Sequence, residues 1–218
     1  SQFAALSSDQ LASLSSTQAA AITSTQLRAL SAGMLDKIKA EAVANMSTSA
    51  VAGLRTDQVQ QLTTEQVRSL TNTQVDALTS AQVRALTSSQ VQALESYDLG
   101  EVKASLTATQ VSQLTTSQLS DLGNAGVGAL STTQVRGLTS GQIAVLSYGQ
   151  VQAMTSTQYR ALTSGQLQSL TGNQVANLAT DDLQALLTSQ IQQLTTNQLQ
   201  FLNSTQVQSL SSSQVRAL

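Results

Sequence analysis

The chain has 218 residues, of which only 10% are charged, and its formal net charge is −2. Charge is far scarcer than the roughly 25% usual for soluble domains, so contact with water rests on Ser, Thr and Gln, and no basic footprint for nucleic acid or anionic lipid is present. Cys and His are both absent, which excludes disulfides, thiol nucleophiles, thiolate metal sites and histidine-based triads.

From Leu6 a large apolar residue stands at every eighth position, through Leu14, Ile22, Leu30, Ile38, Met46, Leu54, Leu62, Leu70, Leu78 and Leu86 to Leu94. After one unit of twelve residues the series resumes at Leu106 and runs to Leu218. Repetition at a fixed short period is the mark of a solenoid, whose units contact mainly their neighbours. Counting from the Leu as position 1, position 2 is Ser or Thr in 19 of 26 units and position 5 is Gln in 20 of them. A hydroxyl followed three residues later by Gln is a capping box, so each octad asks for a new helix. Position 6 is apolar (Val67, Val75, Val83, Val91) and lies three residues before the next Leu. The two therefore share one helix face.

These features predict an all-α solenoid or superhelix of about 26 short capped helices, one per eight-residue repeat, forming a single continuous array over residues 1–218. A continuous coiled coil is disfavoured because apolar gaps alternate between five and three. A β-solenoid is the stronger rival, given the Thr and Val content. Against it, gaps of five and three do not keep side chains on one face of a strand, and Gly is scarce. Helices this short are unstable alone, so stacking of Leu and position-6 side chains must hold them.

Four stretches depart from the pattern, in chain order 31–46, 94–105, 122–129 and 178–188. In the first, Gln gives way to Met34 and Ala42 and position 2 becomes Lys39; one longer helix over Met34 to Ala44 is expected, with Lys37 and Glu41 paired across a turn. The second is the twelve-residue unit, which adds Glu95, Tyr97, Asp98 and Glu101. Insertions in solenoids map to loops on one face, which makes these four residues the candidate partner contact. A calcium site from Glu95, Asp98 and Glu101 is a weak reading, since the usual calcium-loop spacing is missing. The third, with Gly123, Gly126 and Gly128, reads as a flexible seam. In the fourth, Asp182 replaces Gln, and an acid suits a helix N-terminus.

No run of 18 apolar residues exists, so no membrane-spanning helix is expected, and residues 1–30 are not expected to act as a signal peptide. Gln2-Phe3 occupy the Gln-Val positions and Leu218 opens a further unit, so a slice of a longer array is expected. Neither an enzyme nor a cofactor is expected, because a serine hydroxyl without a base is inert and each is explained by capping. No metal is called for. Exposed positions 3, 4 and 7 form polar rows with occasional Arg (Arg68, Arg84, Arg136, Arg160, Arg216). Such rows suit a glycan, peptide or surface ligand; ice binding by ranked Thr is weakened because the best-ordered hydroxyl is already the cap. Solenoid ends expose apolar faces, so self-association end to end or side by side is expected.

The unit Leu70-Thr71-Asn72-Thr73-Gln74-Val75-Asp76-Ala77 resembles the Leu-Thr-Thr-x-Gln-Val-x-Ala arrays of very large, low-complexity bacterial proteins of surface or secreted type. The resemblance covers nearly the whole chain. It implies a structural or adhesive repeat, a spacer, stalk or filament component at the cell surface or outside the cell, and brings no catalytic residues.

Overall fold

The structure, a computed structural model, describes residues 2–218. It contains 25 short α-helices and three 3-10 segments in tandem, and no strand among the described residues. The β-solenoid alternative is therefore overturned. The chain divides into two compact units, one ending at Leu106 and the other spanning Thr107–Leu218.

The octad Leu62 to Ser69 shows how the sequence makes one turn of this fold. Leu62 and Thr63 are both extended, with φ/ψ of −59°/136° and −69°/159°. The next six residues form the helix Thr64–Ser69. Thr63 Oγ1 accepts from the Gln66 N–H at 3.1 Å, and Gln66 Oε1 accepts from the Thr63 N–H at 2.8 Å. Those two bonds occupy helix-end groups that have no partner within the helix. The helix ends because Leu70 returns to extended backbone (φ −57°, ψ 136°), its N–H closing on the Val67 carbonyl at 3.3 Å. Two extended residues then form the corner to the next helix. Leu62, Val67 and Leu70 are buried, while Thr64, Glu65 and Arg68 at positions 3, 4 and 7 face solvent.

The packing is long-range in sequence but regular. In the first unit the helix Thr64–Ser69 packs on Ala40–Ala44 and Ser88–Ala93, its third neighbours along the chain. In the second, Thr132–Gly137 packs in the same way on Ala108–Ser112 and Ser156–Ala161.

The Gln side chains reach one helix further. Gln66 Nε2 donates to the Leu35 and Ile38 carbonyls, 31 and 28 residues back, at 2.7 and 2.6 Å. Gln90 does the same with Val59 and Leu62, Gln142 with Val111 and Leu114, Gln166 with Val135 and Leu138, and Gln198 with Leu167 and Leu170. Third-neighbour packing and this fourth-unit reach together put between three and four octads in each turn of the coil. The capping Gln is thus buried, Gln58 being 0% exposed and Gln66 1%. Its oxygen serves its own helix and its amide serves the turn beneath, so the group keeps all its hydrogen bonds.

The first irregular stretch differs from expectation. Met34 to Ala44 is not one helix: a 3-10 segment Ala32–Lys37 ends at Ile38, which is extended (φ −76°, ψ 131°), and Ala40–Ala44 starts afresh behind Lys39. Ile38 is 2% exposed and takes the inward place of Leu at position 1. A continuous helix would carry it off that line, so the eight-residue burial period prevails over the missing caps. Lys37 pairs with its neighbour Asp36 at 2.8 Å and not with Glu41. The glycine-rich stretch forms the helix Gly123–Gly128, entered through Gly123 at φ 62°. Gly128 lies so close to the helix Tyr148–Ala153 that a Cβ there would stand 2.6 Å from the Ala153 carbonyl oxygen. Gly128 thus permits close packing of the two helices where a flexible seam was expected.

Candidate functional site

The twelve-residue unit carries the four predicted contact residues. Its four extra residues form no loop. The helix Ser96–Val102 continues into a 3-10 turn, Lys103–Ser105, so the insertion is absorbed as extra helix. Leu94, Leu99, Val102 and Leu106 hold it to the core.

The structure separates the four residues. Tyr97 is exposed, with 54% of its surface open, and Glu95 and Glu101 also face solvent. Asp98 does not: it is 3% exposed and cannot form part of a contact surface in this conformation. Sequence reasoning missed this, although Asp98 falls at position 5, where Gln is buried elsewhere. Glu101 lines a pocket of about 100 Å³ with Asp76, Ser105 and the apolar floor Val75, Leu78, Val83 and Val102. The Asp76 and Glu101 charges push the Tyr97 phenol above its ordinary value, with a smaller push from Asp98. No group of three or more Asp or Glu side chains among the described residues is arranged to hold a metal ion. Glu95, Asp98 and Glu101 are accordingly not gathered into the cluster that the calcium reading requires.

A second shallow pocket, about 190 Å³, lies beside Tyr148, which is 53% exposed, and is lined also by Thr171, Asn173, Gln174 and Asn177. Most of its polar groups already have partners. Gln174 Nε2 donates to the Ile143 and Leu146 carbonyls, Asn177 Nδ2 donates to the Asn173 carbonyl, and Tyr148 Oη accepts from Gln152. Thr171 Oγ1 accepts from the Gln174 N–H. Little polar capacity is left to converge on a ligand.

Asp182 occupies the Gln position of the helix Thr180–Ala185, and its neighbours compensate for the exchange. Ser156 Oγ donates to its Oδ1 at 2.7 Å. Tyr159, wholly buried at position 6, donates from Oη to the Val151 carbonyl at 2.6 Å. That carbonyl lies 31 residues before Asp182, where a Gln amide would otherwise bond. Burial pushes the Tyr159 phenol far up, with a further push from the Asp182 charge. Burial likewise raises the Asp182 carboxyl, and the Ser156 hydrogen bond works against that rise.

What the surface offers is therefore mainly repetition. From Thr63 and Gln66 onward the regular position-2 hydroxyls and position-5 amides are engaged inside the fold, and the exposed rows are Ser, Thr and Gln with scattered Arg. No helix among the described residues is long and apolar enough to cross a membrane. The profile of the ALTTAQ repeat matches the chain five times, at residues 37–72, 64–96, 122–156, 145–180 and 175–212. A search of the curated proteins returns no match.

Proposed function

Because the chain belongs to the ALTTAQ repeat family, we propose that it is a structural module: a spacer, stalk or filament-forming component of a bacterial surface or extracellular structure. The observation that carries this reading is the use of the polar side chains. In the regular octads beyond Gln58, as at Thr63 and Gln66, the Thr–Gln pair joins one unit to its own backbone and to the turn beneath, so the motif that defines the repeat builds length. We assign it no reaction, since the position-2 hydroxyls act as caps and Ser156, which donates to the Asp182 carboxyl, serves the ladder.

Two measurements test the proposal. Antibody labelling of intact source cells should reach the array from outside, and labelling only after permeabilisation would refute the surface location. Sedimentation of the purified chain across a wide concentration range should show end-to-end or side-by-side association; a strict monomer throughout would refute the filament reading while leaving the spacer. The alternative is a module that recognises a glycan, peptide or surface through the polar rows. The exposed rings of Tyr97 and Tyr148 favour it. A glycan array should then report binding that Tyr97→Ala or Tyr148→Ala removes, and no bound glycan favours the scaffold.

A further inference from the structure

Two units carry an acid where the ladder of Gln side chains places an amide. At Asp182, Ser156 and Tyr159 supply the missing donors. Asp98 stands at the same position of its unit, and the residues at the same offsets, 26 and 23 back, are Asn72 and Val75. Val75 has no side-chain donor, and Asn72 is exposed. Asp98 Oδ1 is buried and has no hydrogen-bond partner. The Glu95 backbone N–H lies by the carboxyl, as the N-cap N–H lies by Gln Oε1 elsewhere. Oδ1 therefore takes the amide's end of the side chain. The preceding unit places Gln90 on Val59 and Leu62, 31 and 28 residues back; by the same register the carbonyls assigned to position 98 are those of Val67 and Leu70. The helix Ser96–Val102 packs on Asn72–Asp76, as the third-neighbour rule requires.

A carbonyl only accepts, and so does an ionised carboxylate. Opposed acceptors in a buried contact repel and lose their water. The charges around the group do little to relieve this. Glu95 and Asp76 oppose ionisation, and Glu101 lies on the same helix. On the adjoining segments, Lys103 Nζ donates to the Gly100 carbonyl, and Glu65 and Arg68 on Thr64–Ser69 face solvent. We propose that Asp98 is held as the neutral acid, its carboxyl O–H donating to the turn beneath in place of the Gln amide, so that the helix Ser96–Val102 is latched in acid and released as the proton leaves to solvent. Burial first, and then the Glu95 charge, push this carboxyl above its ordinary value. The latch is thus fully closed below the unfolded carboxyl's value and lost as pH rises through the higher folded one.

The test uses the full chain with carbon-13-labelled aspartate. The Asp98 carboxyl resonance should titrate above about pH 4, the ordinary aspartate region. Hydrogen-exchange protection of Leu99 and Val102, corrected for intrinsic exchange, should fall with rising pH by about tenfold for each unit by which the carboxyl is raised. In Asp98→Asn, which keeps a donor and cannot ionise, and in Asp98→Gln, which restores the repeat, the fall should vanish. An Asp98 titration at or below the ordinary position overturns the proposal, and so does a protection profile shared by the wild type and Asp98→Asn. The carboxyl titration needs only the wild-type chain, so the proposal stays exposed even if a variant fails to fold.

Discussion

Thr and Gln contribute unequally, although the capping motif names them as partners. Thr163 Oγ1 caps one N–H. Gln166 receives the Thr163 N–H and donates to both Val135 and Leu138. Thr163→Ala should therefore cost about 1 kcal/mol. Gln166→Ala should cost about 2–4 kcal/mol, since it strips one cap and leaves two buried carbonyls without their amide. Urea unfolding of the two variants checks the order, and equal losses would reduce Gln to a local cap. The local half of this chemistry is legible in the sequence, because Thr and Gln stand three residues apart. The other half is not, because donor and acceptor are separated by 31 and 28 residues and nothing in one octad states how many octads make a turn. The burial of Asp98 escaped notice for the same reason: an acid at a capping position looks exposed until its place in the ladder is known.

Individual helices are fixed more by the burial period than by their caps. Ala40–Ala44 and Thr180–Ala185 begin behind Lys39 and Ala179 with no side-chain cap bond, yet both start on the eight-residue schedule because Ile38 and Leu178 must be buried. That schedule was readable from Leu6 onward; the split of Met34 to Ala44 was misread because local helix preference was set above it. Contacts between helices also depend on residues with no pattern. Gly172 is buried at the start of Gly172–Ala176, and a Cβ there would fall 2.3 Å from the Phe201 ring. Gly172→Ala should destabilise by about 1–3 kcal/mol through overpacking. In a Phe201→Ala background most of that penalty should disappear, and a thermal-unfolding double-mutant cycle measures the coupling. An unchanged penalty would place the strain elsewhere. From sequence alone Gly172 reads as one more small polar-row residue, since its partner lies 29 positions away.

Across the molecule, stability rests on apolar burial and neutral hydrogen bonds, with few ions involved. The ion pairs Lys37–Asp36 and Arg55–Asp57 lie at the surface, where such pairs contribute little. The melting temperature should stay nearly constant as sodium chloride rises from about 0.01 to about 1 M, a range over which surface charge interactions are screened; a steep change would point to an electrostatic contribution not apparent in the fold. The ladder is also uneven along the chain. Gln58, on Leu27 and Leu30, is its first buried rung. Ala42 and Ala50 stand where amides would serve the turn containing Leu11, Leu14, Ala19 and Ile22. Amides before Ile22 should exchange well before those between Gln58 and Gln90 in native-state hydrogen exchange, because fewer bonds tie that turn to the next; uniform protection would remove the ladder from the account of stability. The ladder has a genetic corollary as well. Every regular octad offers the same pair of carbonyls and the same amide, so any octad can serve any other four units away. Duplication or loss of whole octads leaves each donor an equivalent acceptor, and tract length can drift between lineages without new partners having to evolve. An insertion that is not a whole octad has no such freedom, and the one such insertion in the series, at 94–105, carries an aspartate at its ladder position.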